Sequence, residues 1–371
     1  MKPFIFFSFF IICLITDIAY ANNLNYEINS QFRALYGYTE PDNTYEQSRN
    51  NFLLFGNINS KLSYQQNDTL SFNLHAAIKA SASTYLENLN QGHWGEEVYV
   101  SMLSDYGDFY FGQMPNAASE LSVTNSNLSV WQSTPANIVD FIENPNWKQN
   151  GKTKYYATLP STAPDTDGSS LKFSYFTPEF KGTTLGLSYT PKNNANDSLI
   201  SKFSSYGGKS AYSVALYNYQ EFRSSDADFY ISFSDYKNSH TEYGAGFSFY
   251  HKGWSLFASY LKTETQNSDK PISTQTSSKN KKAYFDDFRD STAYNVGVSY
   301  EFAFFTSTLS YFDSYSKNTK AHNRIINLHN SIKFDKNYAI YLGFAHTDFR
   351  SYDQEDSNKG FATYAGIQFE F

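Results

Sequence analysis

The sequence predicts an all-β protein, a transmembrane antiparallel up-and-down β-barrel of 16 strands, and three observations support this prediction. The chain of 371 residues is polar overall but contains 34 Phe and 32 Tyr, and aromatic residues are enriched in β-strands. Apolar and polar side chains alternate over stretches longer than the strands of most soluble proteins. Short and long connections alternate between these stretches, as expected when strands run up and down a barrel.

Residues 1–21 predict a cleaved export signal. Lys2 precedes an apolar run from Phe4 to Ile15, and Ala19-Tyr20-Ala21 fits the small-x-small cleavage pattern. At about 1.5 Å per residue, this run is too short to cross a bilayer as a helix. We therefore expect residues 22–371 to form a single barrel domain.

Charge and cysteine usage exclude several other classes of protein. The net charge of −7 at pH 7 disfavours a nucleic-acid binder, because phosphate backbones are bound by basic surfaces. The only cysteine, Cys13, lies in the predicted signal, so the mature chain has no disulfide, thiolate metal site or cysteine nucleophile. A closed hydrogen-bonded sheet is one way to stabilise an exported chain without disulfides.

A period of two is clearest in three stretches, Asn25–Tyr38, Leu70–Ala82 and Tyr294–Tyr300. In each, one set of alternate positions is mainly apolar and the other mainly polar, which places the two sets on opposite faces of a strand. A transmembrane strand needs about 9–11 residues. Because sheet edges cannot stay open in lipid, the sheet must close, with its apolar face towards lipid and its polar face towards a lumen.

The connections support the strand count. Every connection after an even-numbered strand is tight, whereas those after odd-numbered strands are mostly longer, and the longest spans residues 115–168. Residues 151–159 stay in this connection, because a further strand would need a second one to keep the alternation. The predicted strands are 25–38, 51–65, 69–83, 96–105, 107–114, 169–177, 182–190, 209–222, 226–237, 241–251, 253–264, 290–301, 304–314, 322–334, 337–349 and 359–371.

Three stretches carry a family resemblance. They are residues 106–113 (YGDFYFGQ), residues 171–191 (LKFSYFTPEFKGTTLGLSYTP) and the C-terminal residues 365–371 (AGIQFEF). With them the chain resembles the general-diffusion porins of Gram-negative outer membranes, although Gln113 stands where that family often has arginine. The resemblance implies a homotrimer of 16-stranded barrels in the outer membrane, each with its third outer loop folded into the pore.

The pore is the predicted functional site. The connection 115–168 carries acidic residues that we expect at a constriction, namely Glu120, Asp140 and Glu143. The polar face of the first three strands carries a basic wall, namely Arg33, Lys61 and Lys79. Opposed charges at a narrow point make a transverse field, which favours small polar solutes and tunes ion selectivity.

These features predict passive diffusion of small hydrophilic solutes and ions, with a mild cation preference from the excess of acid. One alternative is a sugar- or anion-preferring porin, in which Tyr217, Tyr219 and Tyr250 form an inward aromatic track. Another is a secreted β adhesin. The chain has no H-E-x-x-H pair and no G-x-S-x-G elbow, so we expect no catalysis, cofactor or metal centre.

The predicted partners are outer-membrane lipid and lipopolysaccharide, further copies of the chain in a homotrimer, the barrel-assembly machinery and small hydrophilic solutes, but no nucleic acid. By the resemblance, Phe371 is the assembly signal. Asp286, Asp287 and Asp290 are candidates for divalent cations that bridge lipopolysaccharide, against the simpler interpretation of a solvated loop.

Overall fold

In a computed structural model, the protein folds into a closed antiparallel β-barrel of 16 strands. The structure describes residues 23–41, 50–83, 97–124, 142, 144–150, 153–164, 168, 170–193, 209–237, 239–265, 290–335, 337–351 and 357–371. The elements in chain order are β1 (Leu24–Pro41), β2 (Asn50–Asn67), β3 (Leu70–Ser83), β4 (Glu97–Ser104), β5 (Gly107–Gln113), α1 (Ala117–Glu120), β6 (Trp147–Asn150), β7 (Thr153–Tyr156), β8 (Leu171–Phe176), β9 (Thr183–Asn193), β10 (Lys209–Phe222), β11 (Ser225–Tyr236), β12 (His240–His251), β13 (Trp254–Thr265), β14 (Ser291–Phe302), β15 (Phe305–Ser316), β16 (His322–Lys333), β17 (Tyr338–Arg350) and β18 (Asn358–Glu370).

The barrel is sealed by the first and last strands. β1 and β18 pair from Gln31 opposite Glu370 to Pro41 opposite Gly360. Ser30 and Phe371 extend this seam, because each donates its backbone N–H to the other's carbonyl oxygen, at 2.8 and 2.9 Å. The other barrel strands pair with their neighbours around the ring. The predicted 16-stranded barrel is therefore confirmed.

The apolar face of the sheet points outward. In β1 the side chains of Tyr26 and Tyr36 are 61% and 53% exposed, whereas Leu35 and Thr39 on the other face are buried. In β18, Phe361 is exposed and Tyr364 is buried. The predicted sorting of faces is confirmed, since successive side chains of a strand point to opposite sides of the sheet.

The tight connections lie at one end of the barrel, which we call the turn end, and the longer ones lie at the loop end. Lys252 and Gly253 join β12 to β13 with φ values of 48° and 86°. Two residues with positive φ match the twist of a two-residue hairpin. A Cβ atom at Gly253 would lie 2.5 Å from the carbonyl oxygen of Glu301, so the position needs glycine for space as well.

One part of the longest connection differs from the prediction. Residues 151–159 add no strand to the barrel, but β7 pairs with β6 in a separate two-stranded sheet. The sequence Asn150-Gly151 between them is typical of hairpin turns. The preceding strand was missed because β6 has only four residues. Within the described ranges, no helix has the length and apolarity needed to span a bilayer.

Adjacent residues of β2 test the sorting of the two faces. Ile58 is on the outward face and 40% exposed, and Asn59 is an exposed residue of the inward face. We expect Ile58→Arg to lower the free energy of unfolding in lipid by about 2–4 kcal/mol, because the charge must enter the apolar wall. Asn59→Arg, the matched control, should cost less than about 1 kcal/mol, because its charge remains in water. Urea unfolding of barrels folded into vesicles measures both values, and equal losses would contradict the assignment of faces.

Candidate functional site

Two residues of the predicted basic wall, Arg33 and Lys61, lie on the lumen side of β1 and β2. Arg33 is half-buried and donates from Nε to Oε1 of Gln368 and from Nη2 to Oε1 of Gln31, both at 2.6 Å. Lys61 shares this inward face. Lys79 lies in β3 in register with Asn57, and its side chain is outside the described part of the structure.

Acidic residues share this wall, which the sequence analysis missed. Lys61 lies in register between Glu27 on β1 and His75 on β3. These side chains, together with Glu97 and Tyr99, line a depression of about 220 Å³. The wall around Lys61 is therefore of mixed charge.

Of the acidic residues predicted in the third loop (residues 115–168), the structure describes only Glu120. Glu120 is an exposed residue of α1 within electrostatic range of the hydroxyls of Tyr99 and Tyr110, which face the lumen. Asp140 and Glu143 lie outside the described residues. That Glu120 lines the pore constriction stays a prediction.

α1 is held against the inner wall. Asn116 caps it, accepting the backbone N–H of Ser119 at 2.9 Å, and the N–H of Ala117 donates to Oγ of Ser188 on β9 at 2.7 Å. Ala117 and Leu121 lie close to Gly186 of β9, where an added Cβ would approach both within 3.0 Å. The close approach of the helix therefore requires glycine in the wall.

A row of aromatic rings runs along the wall near α1. His75 stacks on Tyr99 with ring centroids 4.5 Å apart, and the row continues through Tyr110 to Phe176 at 6.0 and 5.4 Å. The rings come from four consecutive strands of the barrel. They form a continuous aromatic row on the lumen face.

The far part of the third loop crosses to the opposite side of the lumen. Asn146 donates from Nδ2 to Oδ1 of Asn323 on β16 at 2.7 Å. The hydroxyl of Thr162 is hydrogen-bonded to the hydroxyl of Ser259 on β13, at 2.7 Å. Ile142 and Leu159 belong to a buried apolar cluster inside the barrel. The other members of this cluster are inward-facing wall residues, namely Leu35, Leu53, Leu261, Ala293, Phe312, Ile325, Ala345, Phe349, Ala362 and Tyr364.

Lys172 secures the root of the third loop, and sequence reasoning missed it. This residue of β8 is fully buried. Its Nζ donates to the carbonyl oxygens of Met114 and Gly168, at 2.5 and 2.6 Å. Because these carbonyls lie at the two ends of the loop, one ammonium group ties both ends to the wall. A single lysine in a short strand gives no sequence signal for this role.

A wall rich in carboxylates lies opposite β1. β11 is eight places from β1 in the ring of 16 strands, so the two strands lie on opposite sides of the lumen. On β11, Asp228 accepts hydrogen bonds from the hydroxyls of Tyr217 and Ser248, the latter at 2.6 Å. Asp226 precedes it on the same inward face. These carboxylates were not predicted, because only closure of the ring places them opposite Arg33.

The tyrosines of the alternative prediction belong to this acidic wall. Tyr219 is in register with Asp228, and Tyr250 is in register with Asp226. Tyr219 and Tyr250 are 36% and 40% exposed. All three tyrosines, including Tyr217, lie on the lumen face, as the aromatic-track prediction requires.

Acidic residues exceed basic ones on the described lumen face. By alternation, the inward acidic residues of the strands are Glu27, Glu97, Asp108, Glu221, Asp226, Asp228, Glu242, Glu301 and Glu370. The inward basic residues whose side chains are described are Arg33, Lys61, Lys172 and Lys333.

The other candidate residues lie at the ends of strands. Phe371 is 63% exposed beside the β1–β18 seam. Asp290 accepts the backbone N–H of Thr265 at 2.8 Å and Nδ2 of Asn318 at 3.1 Å, so it bridges two outer connections. Asp286 and Asp287 are outside the described residues. Among the residues that are described, no group of three or more His, Cys, Asp or Glu side chains is placed to hold a metal ion.

Comparisons with known proteins agree with this architecture. A family model described as Gram-negative porin matches residues 39–352. OmpF of Salmonella typhi, solved in complex with daunomycin, is 16% identical, with 94% of this chain and 98% of that chain covered and a TM-score of 0.62. No curated protein matches the sequence.

Two further solved structures share the fold at low identity. An anion-selective porin from Comamonas acidovorans is 11% identical, with 94% of this chain and 100% of that chain covered and a TM-score of 0.58. A loop-deletion mutant of OmpT, an outer membrane protein of Vibrio cholerae, is 10% identical, with the same coverage and a TM-score of 0.57.

Replacing Lys172 tests whether it holds the third loop. We expect Lys172→Met to lower stability by about 1–3 kcal/mol, because the buried carbonyls of Met114 and Gly168 lose their donor. The loop should also become more sensitive to added protease. Lys333→Met, at an exposed lumen position near the turn end, is the control and should leave both properties unchanged. Thermal unfolding and timed proteolysis measure the two effects, and identical behaviour of the variants would contradict this role.

Proposed function

The chain belongs to the Gram-negative porin family, and from this premise we propose that it is an outer-membrane channel for passive diffusion of small hydrophilic solutes and ions. The observation that carries the proposal is the sealed ring of strands with an apolar outer face and a polar inner face. In lipid, such a ring encloses water, because its polar face has nowhere else to be solvated. Solutes then move down their own concentration gradient without a cofactor or an energy source, and catalysis has no part in this mechanism.

The third loop sets the size limit in this proposal. Its described parts contact the wall at β9, β13 and β16, and these contacts support a segment that crosses the lumen. Lys172 ties both ends of the loop to β8. A loop fixed at its root and at its far side narrows the channel without closing it.

We propose a mild cation preference that arises from the charges of the lumen. Arg33 and Lys61 lie opposite Asp226 and Asp228, and Glu120 adds a negative charge beside the basic wall. The anion-selective porin from Comamonas acidovorans has the same fold, so the fold leaves selectivity to the side chains. Because acidic residues are in excess on the lumen face, cations should be enriched in the channel.

A second candidate function is a preference for sugars within the same channel. Tyr217, Tyr219 and Tyr250 support it, since all three lie on the lumen face beside carboxylates. Aromatic rings with adjacent hydrogen-bonding groups suit the apolar faces and hydroxyls of sugars. Block of single-channel current by added maltose would favour this candidate, and unaltered current would favour general diffusion.

The remaining proposals concern maturation and assembly. Residues 1–21 are a cleaved signal, residues 22–371 are the mature barrel, and the constriction loop spans about 115–168. The loop end faces the cell exterior and the turn end faces the periplasm, as in bacterial barrels with short periplasmic turns. By resemblance to general-diffusion porins, the barrel assembles as a homotrimer, and Phe371 is read by the barrel-assembly machinery.

Neutralising the acidic wall tests the cation preference. We expect the double variant Asp226→Asn/Asp228→Asn to shift the reversal potential towards anions in a planar bilayer under a KCl gradient. The shift should shrink in 1 M salt, where the Debye length falls to about 3 Å from about 10 Å at 0.1 M. Glu264→Gln removes one negative charge from the outward face of β13 and is the control. Anion preference of the unmodified channel would defeat the proposal.

A further inference from the structure

Charged side chains occupy outward positions near the loop end of β15–β18. Asp313 shares the outward face of β15 with Leu309 and Tyr315, and Arg324 shares that of β16 with Ile326. This placement is contrary to the rule that the outward face is apolar. The group, which we call the outer-face cluster, consists of Asp313, His322, Arg324, Asp348, Arg350 and Lys359.

The cluster is an ordered array across four strands. Asp313, Arg324, Asp348 and Lys359 stand in register from β15 to β18, so negative and positive charges alternate along one row. His322 and Arg350 form the next pair towards the loop end. Side chains directly opposite each other on neighbouring strands lie about 4.5–5.5 Å apart at Cβ. The array is therefore dense enough for one small anion to contact several of its members.

Each carboxylate of the cluster is bonded to several donors. Asp313 pairs with Nε2 of His322 at 3.0 Å and Nε of Arg324 at 3.1 Å, and it accepts the hydroxyl of Tyr311 at 2.9 Å. Asp348 pairs with Nη2 of Arg350 at 2.6 Å. These bonds fix the orientation of both guanidinium groups.

The cations cover the carboxylates. The side chains of Asp313 and Asp348 are 11% and 12% exposed, whereas those of Arg324, Arg350 and Lys359 are 43%, 48% and 47% exposed. Three cations stand against two carboxylates before His322 is counted. The exposed groups of the cluster itself are therefore positive and rich in N–H donors, and one further outward carboxylate, Glu40 of β1, is in register with Phe361, one row nearer the turn end.

The side chains next to the cluster place it at the level of lipid head groups. In the next row towards the turn end, Tyr311 and Phe361 are aromatic. Beyond them the wall is apolar, with Leu309, Leu328 and Phe344 all 40–49% exposed. Aromatic girdles flank the apolar band of membrane barrels. The cluster thus lies just outside the apolar band, where acyl chains end and polar head groups begin.

The strands that carry the cluster are braced from inside the barrel. Asn146 of the third loop donates to the backbone oxygens of His322 and Arg350, at 3.3 and 3.0 Å. The same two residues bear outward side chains of the cluster. A fixed backbone keeps these side chains in place before any ligand arrives, which lowers the entropic cost of binding.

We propose that the outer-face cluster binds the phosphate group of a phosphorylated glycolipid of the outer leaflet, of the lipid A type. This inference rests on the proposed outer-membrane location. Arginine forks match phosphate oxygens with paired, charge-assisted hydrogen bonds. The adjoining apolar wall takes the acyl chains of the same molecule, whereas free phosphate gains nothing from that wall. A second copy of the chain would need a complementary acidic surface at the same level.

Titration of the refolded full barrel in detergent with lipid A tests the proposal, with native mass spectrometry to count bound lipid. Bisphosphorylated lipid A should bind the unmodified barrel about tenfold more tightly than dephosphorylated lipid A, because the charge-assisted bonds need the phosphate. Arg324→Gln/Arg350→Gln should lose this difference. Lys262→Gln, which removes an outward cation from β13, is the matched control and should keep it. Lys359→Gln, at the margin of the cluster, should lose part of this difference in affinity. This single variant replaces the double variant in the test if the double variant folds poorly.

Three results would overturn the proposal. One is equal binding of the two lipids by the unmodified barrel. Another is displacement of lipid A by an equal concentration of inorganic phosphate, which would mean that free phosphate is the ligand. The third is a changed oligomeric state of the double variant with unchanged lipid binding, which would assign the cluster to an interface between copies. Conductance of the double variant separates this proposal from the channel function, because it should match that of the unmodified barrel in every case.

Discussion

The structure depends on one constraint, that every backbone N–H and C=O group within lipid must be paired inside the protein. The ring meets this constraint by pairing β1 with β18, and the mutual bonds of Ser30 and Phe371 continue the pairing to the end of the chain. Closure then decides the environment of each side chain. Outward residues meet lipid, inward residues meet water or the third loop, and the period of two in the sequence follows from that division.

Closure also creates the chemistry of the lumen. Arg33 and Asp228 are far apart in sequence, yet β1 and β11 face each other across the ring, so a wall of mixed charge that carries Arg33 and Lys61 faces a wall rich in carboxylates. The third loop uses the same interior, where it packs Ile142 against wall residues and is tied at its root by Lys172. Water, the third loop and the charged wall residues thus share one enclosed space. Ion selectivity depends on which charged side chains line the part of that space that the loop leaves open.

Local patterns in the sequence predict the strands well, because alternation is visible within each strand. The predicted strand 25–38 corresponds to β1, and Arg33 and Lys61 lie on the predicted face. Features that depend on the closed ring are not visible in this way. Phe312 and Ile325 look misplaced on a polar face until the third loop covers them, and the outward Asp313 becomes intelligible only in register with Arg324.

Site-directed labelling shows which positions of a strand meet water, since the chain from residue 22 onward contains no cysteine. Single cysteines placed from Asn57 to Tyr64 in β2 are treated with a membrane-impermeant maleimide after the barrel is folded into lipid vesicles. We expect rapid reaction at Asn57, Asn59, Lys61 and Ser63, which face the lumen, and protection at the alternate positions. Uniform reaction along the strand, or faster reaction at Ile58 and Leu62, would contradict a water-filled ring in lipid.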